Sequence, residues 1–277
     1  MSNTIQRLPR IRILMWTRQA RNAILNQLND LLPEDLRIAR EALESILDEL
    51  AKNAIKANHK YLMIRDRIRE ALMKPGMSPT IIREMTDSIC DDAVQFNEFM
   101  SQHPGLLDSL SGPLRKILDQ EALWINSKTR YRVDKQPLTD TEKKQLRDTH
   151  EFKNNYRQLK SRRIFLEFRA STDTNFLWIE IINAAPILQK DLDRIYSKRE
   201  EFKKHREAGT EYEFFLNHMD TSEGGSGLGY ATIDTHLVNM GLDPDTALYI
   251  LSMHNTNIVL NLDLNRMRER LATGKPG

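Results

Sequence analysis

The hydrophobic period of this chain changes near residue 162, and that switch limits the folds open to it. Before it, Leu36, Ile38, Ala39, Leu43, Ile46, Leu47, Leu50, Ala54, Ile55 and Ala57 recur at spacings of three and four, with Pro33 ahead of them as a start signal. That spacing predicts one long amphipathic helix. Further helical pieces follow, separated by the breakers Pro75-Gly76, Pro104-Gly105 and Pro137. After it, Arg163 to Arg169 and Asn175 to Asn183 are aromatic and β-branched runs joined by the polar turn Ala170 to Thr174, which predicts a hairpin. A charged segment from Gln189 to Met219, a glycine cluster, a helix from Leu228 to about Met240, and strands at Ala247 to Met253 and Thr256 to Leu264 complete the pattern. Helices followed by strands in tight hairpins imply an α+β protein. The expected form is a two-layer sandwich, with a mixed or antiparallel sheet and helices on one face.

Composition removes several classes. With 277 residues, 40% of them hydrophobic, and only 11 glycines and 10 prolines, the chain can bury a sizeable core and is neither fibrous nor disordered. The lone Cys90 excludes an intramolecular disulfide and a cysteine-based zinc cage, and reads as a small buried hydrophobe. No run approaches the roughly 18 apolar residues that would span a bilayer, so no membrane partner and a cytoplasmic location are expected. A net charge of +2 supplies no global field for nucleic acid. Residues 128–169 hold thirteen Lys and Arg against six Asp and Glu, a local excess read as solvated helix faces. At the N-terminus, Ile11, Ile13, Leu14 and Trp16, then Ile24, Leu25 and Leu28, predict a docking helix, so residues 1–33 are expected to form a helical arm.

Two segments carry chemistry. In Glu223-Gly224-Gly225-Ser226-Gly227-Leu228-Gly229, four of the eleven glycines fall within six positions. Glycines let a backbone pass close to a ligand, and a helix starting directly after them adds unpaired N–H groups and a positive end, which suits phosphate. No Gly-Lys-Ser/Thr follows and no apolar strand leads in, so neither the Walker loop nor the dinucleotide fingerprint is present. In the long helix, Glu49 and Asn53 are four apart and so share a face, roughly 6 Å between side-chain roots. An Asn oxygen suits Mg²⁺, and a neighbouring carboxylate can order or deprotonate a water. The same spacing also describes an exposed polar stripe.

The helix motif around Glu49, Asn53 and Ala54, the strand end Ile179 to Ile187 and the Gly225-Ser226-Gly227-Leu228-Gly229 core occur in the order of the N, G1 and G2 boxes. In this the chain resembles the GHKL ATP-binding superfamily, nearest to the catalytic domain of histidine kinases. The resemblance covers about residues 34–60 and 163–265. It implies a histidine-kinase-like ATPase fold over 34–277 with a helical insertion at about 61–162. It also implies bound ATP and Mg²⁺, and phosphoryl transfer to a histidine, in cis or in trans, or to water. Asn53 would hold Mg²⁺ and Glu49 would act as base. Lys56 and the neighbouring Ala57 would adjoin the phosphates, and Gly225, Gly227, Leu228 and Gly229 would line the triphosphate. Asn183, Ala185 and Thr256 would meet the adenine. The charged stretch Leu188 to Ser222 would be a flexible lid, with Lys203, Lys204 and Arg206 turned toward phosphate on closure.

Three departures from the family pattern stand out. Asn183 replaces the strand-end Asp and Ala185 a following glycine, which weakens the hydrogen bond to adenine and leaves the base preference open. Asn53 and Asn183 are 130 positions apart, far more than in the kinases. No phosphoacceptor histidine precedes the helix box; His150 lies after it, out of order, and His59 reads as a structural or site-edge residue. A protein partner or acceptor in trans and a homodimer through helices are the partners this implies, with nucleic acid unfavoured. The rival expectations are a nucleotide-gated interaction switch with little turnover, and a helical scaffold without nucleotide.

Overall fold

The computed structural model describes residues 5–218 and 228–273. Two short strands open it, β1 (Gln6–Arg7) and β2 (Ile11–Ile13), and α1 (Arg18–Leu31) follows. A 3-10 turn at Glu34–Ala39 leads into α2 (Arg40–Leu72), 33 residues without a break. Next come α3 (Pro79–Cys90), α4 (Ala93–Gln102), α5 (Ser111–Arg132), α6 (Asp140–Arg147) and α7 (His150–Ser161). The hairpin strands are β3 (Leu166–Thr172) and β4 (Phe176–Asn183). Beyond them lie α8 (Gln189–Ala208), α9 (Glu211–His218), α10 (Leu228–Asn239) and the short α11 (Pro244–Ala247). The strands β5 (Leu248–Ser252) and β6 (Thr256–Asp263) and the helix α12 (Leu264–Thr273) close the described chain. The expected breakers hold their places: Gly76, at φ +85°, makes the turn between α2 and α3, which a side chain would strain.

The protein is α+β. Its six-stranded open sheet runs β1-β3-β4-β6-β5 with β2 also on the outer edge of β3, and every pairing is antiparallel. The mixed alternative is thereby excluded for the described strands. Alternation decides which face is covered. Leu166, Phe168 and Ala170 on β3, Leu177, Ile179 and Ile181 on β4, and Ile258, Leu260 and Leu262 on β6 are buried, while their neighbours are half-exposed. The buried face packs on Ile24 and Leu28 of α1, Leu43, Ile46, Leu47 and Leu50 of α2, Ile233 and Leu237 of α10, and Met267 of α12.

The second half of α2 enters a different core. Tyr61, Leu62, Ile64 and Ile68 join Cys90, Phe96, Met100 and Leu159 of the helical layer, together with Ala185 and Leu188 beyond the end of β4. Segment 61–162, expected as an insertion, is thus built onto the same helix that carries Glu49 and Asn53. A buried polar knot helps fix it: His59, fully buried, contacts Asn155 of α7 and Glu121 of α5 through its two ring nitrogens. This is the structural alternative for His59. Burial pushes the Cys90 thiol up to about 12, so it behaves as a hydrophobe.

Two expectations need correction. The N-terminal arm is not helical from Ile11: residues 11–13 form β2, with Ile11 opposite Phe168 and Ile13 opposite Leu166, and the helix begins at Arg18 with Thr17 as its cap. Strand pairing to β3 outweighs the local three-residue spacing of Ile11 and Leu14. The charged stretch from Leu188, expected as a flexible lid, is an ordered helix over Gln189–Ala208. It is α8, capped by Gly209 at φ +68° and held by a buried Arg199–Asp234 pair whose Nε lies 3.0 and 3.1 Å from the two carboxylate oxygens. Arg199 also donates to Pro244 O at 2.8 Å. The tail of that stretch, 219–222, lies outside the described residues.

Glu167 of β3 holds the N-terminal strand. It accepts from Arg12 Nε at 2.7 Å and from Arg169 Nε at 2.7 Å. Burial alone would raise its pKa, but the two guanidiniums overcome that and hold it below the usual Glu range. A depressed native pKa contributes stability above the unfolded Glu value, and that contribution is lost as pH falls through the native one. Replacement Glu167→Gln is expected to cost about 1 kcal/mol at neutral pH and to flatten the acid limb of the stability curve. Urea titrations of both proteins between about pH 3 and 7 check this.

Candidate functional site

Helix periodicity sorts the polar residues of α2 into two adjoining faces, with Glu49 shared. Glu49, Asn53, Lys56 and Lys60 follow one another at spacings of three and four. Asn53 Nδ2 donates to Glu49 Oε1 at 2.9 Å, and Asn53 Oδ1 takes no hydrogen bond among the described residues. Ala57, one turn beyond Asn53, is half-buried and adds no bulk to this face.

The start of α10 lies against this pair. A Cβ built on Gly229 would fall 1.9 Å from Glu49 Oε1, 2.6 Å from its Cδ and 2.9 Å from its Cγ, so only glycine allows the approach. Two turns further along α10, on the same face, His236 Nε2 contacts Ser45 Oγ at 2.9 Å. As α10 advances from 229 to 236 its partner on α2 recedes from 49 to 45, so the two helices pack antiparallel. Leu228 sits on the small cluster of Phe202, Phe214 and Ala231. Gly225 and Gly227, with the rest of the cluster before Leu228, lie outside the described residues.

The strand ends meet separately. Asn183 and Thr256 are opposed across β4 and β6, both buried on the helix-covered face. Thr256 donates to Ala185 O through its hydroxyl at 2.7 Å and its N–H at 3.1 Å. Six residues past Ala185, Asp191 of α8 accepts from Lys60 Nζ at 2.7 Å and so ties this segment to α2. The two halves of the expected site are therefore joined through α8.

Lys60, Asp191 and Arg194 belong to the site although only the helix box and strand end pointed to it. Burial, then Arg194, then Lys60 lower the Lys56 pKa, against the opposing pull of Asp191 and Glu49. Three cations are gathered beside two carboxylates, an arrangement that favours an incoming polyanion. Lys60 could have been found as the next helical position after Lys56; Asp191 and Arg194 are brought to it only by the docking of α8 on α2. Tyr230, next to Gly229, has its phenol pushed up by burial, with Arg199 opposing and Glu49 adding to the shift. Lys203 and Lys204, expected to turn toward phosphate on closure, are engaged here with Asp245 at 2.7 Å and Glu200 at 3.8 Å. Arg206 lies in the field of Asp234 and Asp245. His150 is exposed at the start of α7.

A cavity of about 460 Å³ opens on the other side of Glu49, between α1, α2 and α10. Glu41, Glu44, Asp48 and Glu49 line it against Arg21 and Lys52, so its wall is acid-rich and repels phosphate. The cationic face with Lys56, Lys60 and Arg194 is the one that suits an anion. Among the described residues no three His, Cys, Asp or Glu side chains are grouped to hold a metal. No described helix is long and apolar enough to cross a membrane.

The Gly229 contact yields a test that needs no ligand. Gly229→Ala forces the Glu49 side chain away and breaks its bond to Asn53, at an expected cost of about 1–2 kcal/mol. Glu49→Ala in the same chain should recover most of that loss, whereas additive effects in a double-mutant cycle would mean that the two residues do not touch. Compared with known proteins, the chain matches no family model, no curated protein and no solved structure.

Proposed function

We propose that the chain is an ATP-binding protein of histidine-kinase type, which positions Mg-ATP for phosphoryl transfer to a histidine or to water. The observation that carries this reading is the seating of Gly229 on Glu49, itself bonded to Asn53: the helix motif and the end of the glycine motif, 180 residues apart, share one contact. The Asn53 oxygen beside the Gly229–Glu49 contact and the Lys56–Lys60–Arg194 cluster fit a magnesium-bound triphosphate in donor type and charge. With no all-protein metal cage among the described residues, Mg²⁺ would arrive with the nucleotide and neutralise phosphate charge.

Each residue then has a task. Asn53 Oδ1 is the hard oxygen for the metal, and the Glu49–Asn53 bond fixes its direction. Glu49 Oε2 is left to orient or deprotonate the attacking group, as a general base must. Lys56 and Arg194 supply positive charge for the phosphates. Asn183 and the Thr256–Ala185 link form the strand-end platform for the base, with the neutral Asn amide offering acceptor and donor alike.

Calorimetric titration with Mg-ATP, Mg-ADP and Mg-GTP tests the binding half. Asn53→Ala, which also removes the bond to Glu49, is expected to weaken Mg-ATP binding by at least about tenfold while the chain keeps its folded far-UV circular dichroism. Phosphate release tests the other half: Glu49→Gln should lower it by about 10²-fold or more while leaving affinity within a few-fold. Binding without release or transfer in the wild type would reduce the protein to a nucleotide-gated interaction switch, and the absence of any nucleotide binding would remove the reading.

A further inference from the structure

A second concavity, of about 580 Å³, lies in the helical layer between the C-terminal half of α2, the turn after it, α3 and Arg162. Its volume is within the range of small-molecule sites. Five cations line it, Arg65, Arg69, Lys74, Arg83 and Arg162, against only Asp66 and Asp87. Both acids are already engaged: Asp87 pairs with Arg65, and Asp66 with Arg69 at 3.4 Å. Arg65 is further satisfied by Asp91 at 3.1 Å and Tyr61 Oη at 3.1 Å. Lys74, Arg83 and Arg162 therefore share the cavity with no ion-pair partner among the described residues. In a chain whose net charge is +2, three uncompensated cations around one hollow are a local excess that solvation alone does not call for.

The remaining wall defines the guest. Arg65 is 93% buried by residue area, with a relative exposure of 7%, yet its Nε makes no hydrogen bond, and neither does Arg69 Nε. The first turn of α3 adds a donor at the rim. Ser78 caps the Ile81 N–H at 3.3 Å and Pro79 has none, so Thr80 N–H has no partner within its own helix. Met73, Met77, Pro79 and Ile82 supply an apolar surface, with two thioethers able to adapt to a ligand's shape. Cations and N–H donors beside an apolar patch match a compact amphiphilic anion better than a bare ion or an extended polymer.

We propose that this cavity binds a small organic anion, a phosphate monoester carried on a compact apolar body. The phosphate is held by Arg83, Arg162 and Lys74, and the apolar body rests on Met73, Met77 and Ile82. The site does not depend on the nucleotide reading, since none of its residues contacts Glu49, Asn53 or Gly229.

Titration of the full chain with phenyl phosphate, by calorimetry or ligand-observed NMR, tests the proposal. Saturable one-to-one binding is expected. Binding should be at least about tenfold weaker in the double variant Arg83→Ser/Arg162→Ser, whose two side chains are exposed and unpaired, so the melting temperature should hold. Asn53→Ala should leave phenyl phosphate binding unchanged, and inorganic phosphate or benzyl alcohol should each bind at least about tenfold more weakly than phenyl phosphate. No binding in the wild type, equal binding in the double variant, loss of binding in Asn53→Ala, or inorganic phosphate binding as tightly as phenyl phosphate would each overturn it.

Discussion

One helix sets the geometry of this protein. α2 is 33 residues and so roughly 50 Å long, more than either core needs by itself. Its first half lays Leu43, Ile46, Leu47 and Leu50 on the sheet, and its second half lays Leu62, Ile64 and Ile68 among the helices. Burial on both stretches leaves only a narrow polar stripe between and beside them. Glu49, Asn53, Lys56 and Lys60 occupy that stripe, so their spacing is dictated by helix period and their direction by two hydrophobic contacts they take no part in. A kink or break in α2 would uncouple the cores and the site together.

Against this rail α10 is seated by absence of bulk and α8 by charge. Gly229 is tolerated at the start of α10 because it removes a side chain where Glu49 needs space, and the His236–Ser45 contact keeps the register two turns further along. α8 has only Arg199 and Phe202 fully buried, with Leu192 and Ile195 packed at the edge of the sheet core, so apolar contact alone does not fix its place. The buried Arg199–Asp234 pair positions it instead, and burial raises the Asp234 pKa against the pull of Arg199. A helix held by ion pairs at Arg199 and at Lys60–Asp191, with only a thin apolar contact beside them, can respond to a new charge between it and α2 more readily than one packed by leucines alone.

The sequence made the sheet legible wherever alternation was long. β3, β4, β5 and β6 fall within about three residues of their predicted bounds, because five to eight alternating residues bounded by turns have few other readings. β2 was hidden, since three residues cannot display a period and its partner lies 155 positions away in the chain. α8 was hidden for the opposite reason: twelve of its twenty residues are charged and mask the thin line of Leu192, Ile195 and Phe202, and the ion pair that orders them is non-local. For the site, the pairing of Glu49 with Asn53 was visible as an i, i+4 step, but the contribution of Asp191 and Arg194 required the fold. The cavity around Arg83 and Arg162 draws its cations from segments about 80 positions apart, which no local pattern could join.

The central claim is that α2, the entry to α10 and the β4–β6 strand ends surround one metal-nucleotide pocket. Replacing magnesium by paramagnetic Mn²⁺ with ATP, and recording amide line broadening across the chain, examines all three segments at once. Broadening at Asn53, Gly229 and Thr256 together, abolished by excess Mg-ATP, is the predicted result. Broadening confined to one of them, or centred on the helical layer around Arg83, would contradict the account.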